Sequence, residues 1–230
     1  VNKNTGDYIQ MIQEIIQANH FTLLRQREIA EMQGTLWEMT HEQSGAKLCW
    51  LQRADENMTF AIAFRTIPTD STGVFHILEH SVLNGGDKYP VKEPFVELLK
   101  SSLQTFLNAM TYPDKTVYPV SSRNKQDFHN LMDVYMDAVL HPLAVKMPNV
   151  FRQEGWRLEF DEQGEPMFQG VVYNEMKGVY SSPDAYLENE GRLLRCLPHG
   201  RARHDARPVP GHLLCHGVRR RPRAYPGVEL

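Results

Sequence analysis

The chain has 230 residues, 41% of them hydrophobic and 23% charged, with a formal net charge of −3, enough to bury a core in one or two domains. It has no apolar run long enough to cross a bilayer, and its polar start, Val1-Asn2-Lys3-Asn4-Thr5-Gly6-Asp7, does not read as a secretory signal. Three cysteines (Cys49, Cys196, Cys215) are too few and too unevenly numbered for a disulfide framework and favour a reducing compartment.

Tyr8, Ile9, Ile12, Ile15 and Ile16 recur at helical spacing, which predicts an opening amphipathic helix. Thr35–His41, Lys47–Gln52 and Met58–Arg65 read as three strands separated by turns at Gln43-Ser44-Gly45 and Asp55-Glu56-Asn57, and are expected to form an antiparallel meander. Gly73–Leu83 reads as a helix stopped by Asn84-Gly85-Gly86 and, from its many apolar residues, as one that is mostly buried. A second helix is expected from Pro94 through Leu99, because proline suits a first helical turn. Thr116–Ser121 reads as a strand, Asn124–Leu140 as a helix ending before His141-Pro142, and Trp156–Phe160 as a strand followed by a turn at Glu162-Gln163-Gly164. Helices are expected over Val171–Tyr180 and Pro183–Leu194. Strands followed by mixed helices define an α+β domain, a mixed or antiparallel sheet packed on helices, here assigned to residues 1–191.

From Arg192 onward the composition changes: nine arginines and no lysine stand against Asp205 and Glu229, so this tail is basic and the body acidic. Residues 192–230 read as disordered, or as the product of a frameshift in a GC-rich gene. Two weaker readings of the tail are a metal-binding segment, from the ligand-like spacings Cys196-x-x-His199 and His212-x-x-Cys215-His216, and a basic arm for nucleic acid; neither completes a full motif. No nucleic-acid or membrane partner is expected.

The chemistry concentrates in Phe75-His76-Ile77-Leu78-Glu79-His80. Positions i and i+4 share a helix face, so His76 and His80 can offer two imidazole nitrogens to one metal ion. Glu79 stands beside that face, placed to take a proton from water and pass it to a leaving amine. This is the inverted H-x-x-E-H order of a zinc peptidase. A catalytic zinc needs a third protein ligand. Glu175, on another apolar-rich helical segment, is a candidate, and chemistry alone leaves Glu154, Glu159 and His141 nearly as good.

Gly73–Leu83 with Lys88-Tyr89-Pro90, Ser102–Thr111, Gln153–Glu159 and Gly170–Gly178 together closely resemble the presequence-protease branch of the pitrilysin/insulinase family. The resemblance runs from about Tyr8 to Arg192. It implies one zinc ion per chain held by His76, His80 and Glu175, with Glu79 as general base. It also implies that Asn108 holds the substrate backbone near the scissile bond and that Ala109 presents backbone groups beside it. Substrates would be unfolded peptides that add as a strand to a sheet edge. Members of this family are several times longer, and a second half closes over the peptide. The expected partners are therefore unstructured peptides and a missing C-terminal half, or a complementary subunit; the alternative reading is a non-catalytic half-enzyme that needs such a partner. The expected compartment is the bacterial cytoplasm, or an organelle matrix in a eukaryote.

Overall fold

A computed structural model of the protein describes residues 3–70, 72–91 and 94–184. The arginine-rich tail, and all but the first two residues of the helix expected over Pro183–Leu194, lie outside the described residues. The chain divides into two units, up to Glu56 and from Asn57 onward. Both carry helices and antiparallel strands, as an α+β fold requires.

The first unit holds the opening helix α1 (Lys3–Ala18) and a three-stranded antiparallel sheet in the order β1 (Phe21–Ile29), β2 (Gly34–His41), β3 (Lys47–Arg53). Ile12 and Ile16 of α1 pack with Trp37 and Met39 of β2, and Trp37 stacks on its cross-strand partner Trp50. The meander therefore differs from the expected one. Strand β1 joins it, and Met58–Arg65 belongs to the other unit. A register shift between Leu23 and Arg25 leaves Leu24 exposed and breaks the alternation by which β1 would have been read.

In the second unit β7 (Lys115–Ser122) is the central strand. On one side it pairs with β4 (Met58–Arg65), and on the other with β5 (Gln104–Leu107) and the two-residue β6 (Met110–Thr111). Phe60, Ile62 and Phe64 of β4 lie opposite Val120, Tyr118 and Thr116 of β7, so one apolar face runs across both strands. That face packs with Val82 of helix α2 (Val74–Val82) and with Leu131 and Tyr135 of helix α4 (Lys125–Leu140), which Asn124 caps by accepting a bond from the Asp127 N–H. The short helix α3 (Pro94–Ser101) adds Phe95 and Leu98 to the same core.

One proline explains the break between β5 and β6. Asn108 donates its N–H to the carbonyl of Pro119 on β7 at 3.2 Å. A residue other than proline at 119 would return a second bond, but proline has no N–H to give. The Tyr135 hydroxyl donates to the Asn108 carbonyl instead, at 3.3 Å. The chain leaves the ladder at Asn108-Ala109 and rejoins it at Met110.

The remaining elements are α5 (Pro148–Glu154), the hairpin β8 (Arg157–Phe160) and β9 (Pro166–Gln169), and α6 (Val171–Val179). Two glycines let α2, α5 and α6 approach. A Cβ on Gly155 would meet Ile77 Cγ2 of α2 at 3.1 Å, and one on Gly170 would meet the carbonyl oxygen of Gly155 at 2.1 Å. The second clash is with backbone and cannot be relieved by turning a side chain. Gly170→Ala is therefore expected to cost about 1–3 kcal/mol through overpacking, a drop of roughly 2–4 °C in melting temperature per kcal/mol. A Cβ on Gly178, also on α6, meets nothing within 4 Å, so Gly178→Ala is the matched control. Thermal melts of both variants, followed by circular dichroism, check the difference; equal melting temperatures would remove the close approach as a constraint.

Candidate metal centre

Helix α2 begins at Gly73, whose positive φ of 74° turns the chain into it without a Cβ penalty. The helix buries less than its apolar content predicts. Glu79, Ser81 and Val82 are buried, whereas Val74 and Leu78, one turn apart, are 50% and 47% exposed. Burial follows position along the helix rather than face: Val82, on the same i, i+4 stripe as Val74 and Leu78, is buried because the C-terminal end of α2 joins the core.

His76 and His80 lie one above the other, with ring centroids 5.0 Å apart. Both Nε2 atoms point at a single carboxylate oxygen on α6: Glu175 Oε2 is 3.6 Å from His76 Nε2 and 3.5 Å from His80 Nε2. Among the described residues, these three are the group of histidine, cysteine or acidic side chains that can hold a metal ion. The other sequence candidates for a third ligand stand elsewhere. Glu159 pairs with Arg157 at 2.6 Å, His141 is exposed at the end of α4, and Glu154 lies on the far side of the His80 ring.

Glu154 Oε2 is 3.3 Å from His80 Nδ1. An ionised carboxylate can only accept, so Nδ1 carries the hydrogen, and in the neutral ring Nε2 keeps its lone pair turned toward Glu175. Glu154 is itself tied down, its Oε1 accepting from Asn84 Nδ2 at 3.0 Å and Gln153 Nε2 at 2.9 Å. Burial alone would raise the Glu154 pKa, but these donors and His80 hold it below the ordinary carboxylate value. For His80, burial pulls the pKa down, and the Glu154 bond with the charges of Glu79 and Glu175 more than restores it, so the net direction is up. For His76, burial dominates over the attraction of Glu175, and its pKa falls below the ordinary value.

The donor set fits a divalent ion. Four ligands at about 2.0–2.1 Å in a tetrahedron lie roughly 3.3–3.4 Å apart, close to the two separations from Glu175 Oε2. His76 Nδ1 is buried with no hydrogen-bond partner among the described residues. A neutral His76 that carries its proton there turns a lone pair toward an anionic oxygen. Such a contact is repulsive unless a cation lies between them.

The three residues line a cleft of about 860 Å³ together with Glu79, Asn108 and Ala109. Glu79 is 7% exposed, and its Oε2 accepts a bond from the Thr111 hydroxyl at 2.7 Å. Asn108 is exposed, and its Oδ1 accepts the N–H of Ala109 at 2.9 Å, so a ligand that takes up that N–H must displace the asparagine side chain. Sequence reasoning found Glu154 only as a rival ligand and Thr111 only as part of a resembling segment. Both act across long stretches of chain that carry no local spacing signal.

Residues 65–163 match the family described as insulinase (peptidase family M16). Protein HypA of Clostridium perfringens is 58% identical over 168 residues, 73% of this chain and 17% of its own length. Presequence protease 1, chloroplastic/mitochondrial, of Arabidopsis thaliana is 53% identical over 168 residues, 73% of this chain and 16% of its own. The mitochondrial presequence protease of Saccharomyces cerevisiae is 49% identical over 162 residues, 69% of this chain and 16% of its own. The chain thus spans about a sixth of the length of these curated relatives. The crystal structure of pitrilysin aligns with 76% of this chain and 16% of its own at a TM-score of 0.45 and 18% identity.

Carboxylates that orient a ligating histidine typically contribute 10- to 100-fold to metal affinity. Glu154→Ala is expected to weaken binding of a divalent ion by about that factor, measured by competition with a chromophoric chelator. Glu159→Ala, which removes a carboxylate paired with Arg157, should bind as the parent does. An unchanged affinity in Glu154→Ala would separate this carboxylate from the metal site.

Proposed function

We propose that this chain, which belongs to the insulinase family of peptidases, carries the catalytic centre of a zinc endopeptidase acting on unfolded peptides. The observation that carries this reading is the approach of His76 Nε2 and His80 Nε2 to one oxygen of Glu175 at 3.6 and 3.5 Å, in a cleft that also holds the Glu79 carboxylate.

In this reading His76, His80 and Glu175 hold one zinc ion per chain. The ion, when bound, acidifies water and polarises the scissile carbonyl. Glu79 takes the proton of the attacking water and delivers it to the leaving amine, the double duty expected of a positioned carboxylate. Glu154 keeps His80 in its ligating tautomer. Asn108 and Ala109 form the gap in the edge of the sheet, where an extended peptide can dock its backbone and bring an amide to the cleft. Recognition through backbone suits unstructured peptides of varied sequence, and two of the relatives named above are presequence proteases. A non-catalytic role would leave a carboxylate at position 79 buried at a desolvation cost without a use for it.

The remainder of the longer relatives, or a complementary subunit, would cover the cleft and exclude water. Names of relatives from a bacterium and from plant and yeast organelles support the bacterial cytoplasm or an organelle matrix as the compartment. No helix of the described residues is long and apolar enough to cross a membrane.

Replacing Glu79 with Gln should leave zinc binding near one ion per chain and lower cleavage of an unstructured fluorogenic peptide by roughly 10²–10⁴-fold. Glu175→Ala should lose zinc to a chelator that leaves the parent loaded. Cleavage is measured with the chain alone and with the remainder of a full-length relative added. Equal turnover by parent and Glu79→Gln would remove the general-base assignment, and unaltered zinc retention in Glu175→Ala would move the third ligand elsewhere.

A further inference from the structure

We infer that Thr111 is the positioning residue of the Glu79 carboxylate: its hydroxyl holds one oxygen so that the other is left free to work in the cleft. The inference rests on the reading of Glu79 as general base. Thr111 Oγ1 donates to Glu79 Oε2 at 2.7 Å, and among the described residues no other hydrogen bond reaches either carboxylate oxygen. Glu79 is 7% exposed, so the protein rather than solvent decides where its carboxylate turns. A carboxylate on an ordinary helix swings freely about its last torsion. Tying one oxygen fixes the plane of the group and aims the second oxygen.

The fold delivers Thr111 to this place by strand register. On β7, Thr116, Tyr118 and Val120 face α2 and α4, and Thr111 lies opposite Thr116 on that same face. The hydroxyl of Thr116 cannot serve in its stead, because it pairs with the Thr66 hydroxyl at 2.8 Å. Strand β6 is also the one that pairs with β7 just past the Asn108-Ala109 break, and its other side is unpaired among the described residues. A peptide that adds to that edge docks on the backbone of the strand whose side chain aims the base. Substrate seating and base orientation are thereby referred to one short piece of chain.

The test uses two variants of the whole chain. Thr111→Val keeps the branched shape and removes the donor; Thr111→Ser keeps the donor and removes a methyl. Each is loaded with zinc, and its affinity is measured against a chelator. Zinc affinity should match the parent in both. In Thr111→Val, kcat for an unstructured peptide should fall on the order of 10- to 100-fold with KM unchanged, the scale of a misplaced catalytic group, and Thr111→Ser should restore it. A second readout needs no turnover. With glutamate labelled at the side-chain carboxyl carbon, the Glu79 resonance is identified by its loss in Glu79→Gln; it should move in Thr111→Val and stay near the parent position in Thr111→Ser. A Glu79 resonance unmoved by Thr111→Val, or a serine variant no closer to the parent than the valine variant, overturns the inference. If Glu79→Gln cleaves as the parent does, the general-base reading fails, and the resonance still decides whether Thr111 holds the carboxylate.

Discussion

Two imidazole nitrogens set 3.6 and 3.5 Å from one carboxylate oxygen are the constraint on which the rest of this structure turns. These separations exceed a good N–H···O hydrogen bond and match the edges of a small coordination tetrahedron. Without a cation, a neutral His76 with its proton on Nδ1 sets a lone pair against an anion in this cleft. Much of the surrounding structure serves to hold these groups there. Glu154 fixes the tautomer of His80, and Asn84 and Gln153 fix Glu154. The chain of contacts lies within the helices α2, α5 and α6 and the residues just past the end of α2, so it is local in space although it spans nearly a hundred residues of sequence.

That locality depends on the absence of two side chains. Gly155 ends α5 against α2, and Gly170 opens α6 against the carbonyl of Gly155. Neither glycine touches the candidate ligands. Each nevertheless sets the distance between the helix carrying the histidines and the helix carrying Glu175, because backbone contacts transmit displacement without the slack of a rotamer. A methyl at position 170 is therefore expected to shift Glu175 by shifting its helix.

The sequence disclosed those parts of the site that are periodic or contiguous. His76, Glu79 and His80 were legible because one helical turn brings i and i+4 together, and Met58–Arg65 was legible because its alternation is uninterrupted. Strand β1 was hidden by the bulge at Leu24, and β5 and β6 by their shortness and by the break that Pro119 imposes from the opposite strand. From chemistry alone, Glu175 could not be separated from Glu154. Both are helical glutamates near the same histidine, and only the tertiary arrangement assigns one to Nε2 and the other to Nδ1. Resemblance pointed to Glu175; spacing did not. Thr111 carries no local signal, since a threonine in a two-residue strand has meaning only through the partner that strand register gives it.

Binding a cation and hydrolysing a peptide make different demands on this chain. The candidate ligands, the carboxylate behind His80 and the glycines that space the helices all lie in the unit from Asn57 onward, so the proposed metal affinity would belong to that unit. Hydrolysis also requires water to be excluded from the cleft and charge on the reacting carbonyl to be stabilised. The cleft is lined on one side by an open sheet edge, and Glu175 is 48% exposed. Large apolar side chains outside the site, among them Phe160 at 70% and Val145 at 81% exposure, are also left to solvent, a pattern expected of surfaces that other protein covers. On the proposed reading, affinity for the ion and rate of cleavage are therefore separable quantities. His76, His80 and Glu175 with their supports are proposed to set the first, and whatever covers the cleft the second.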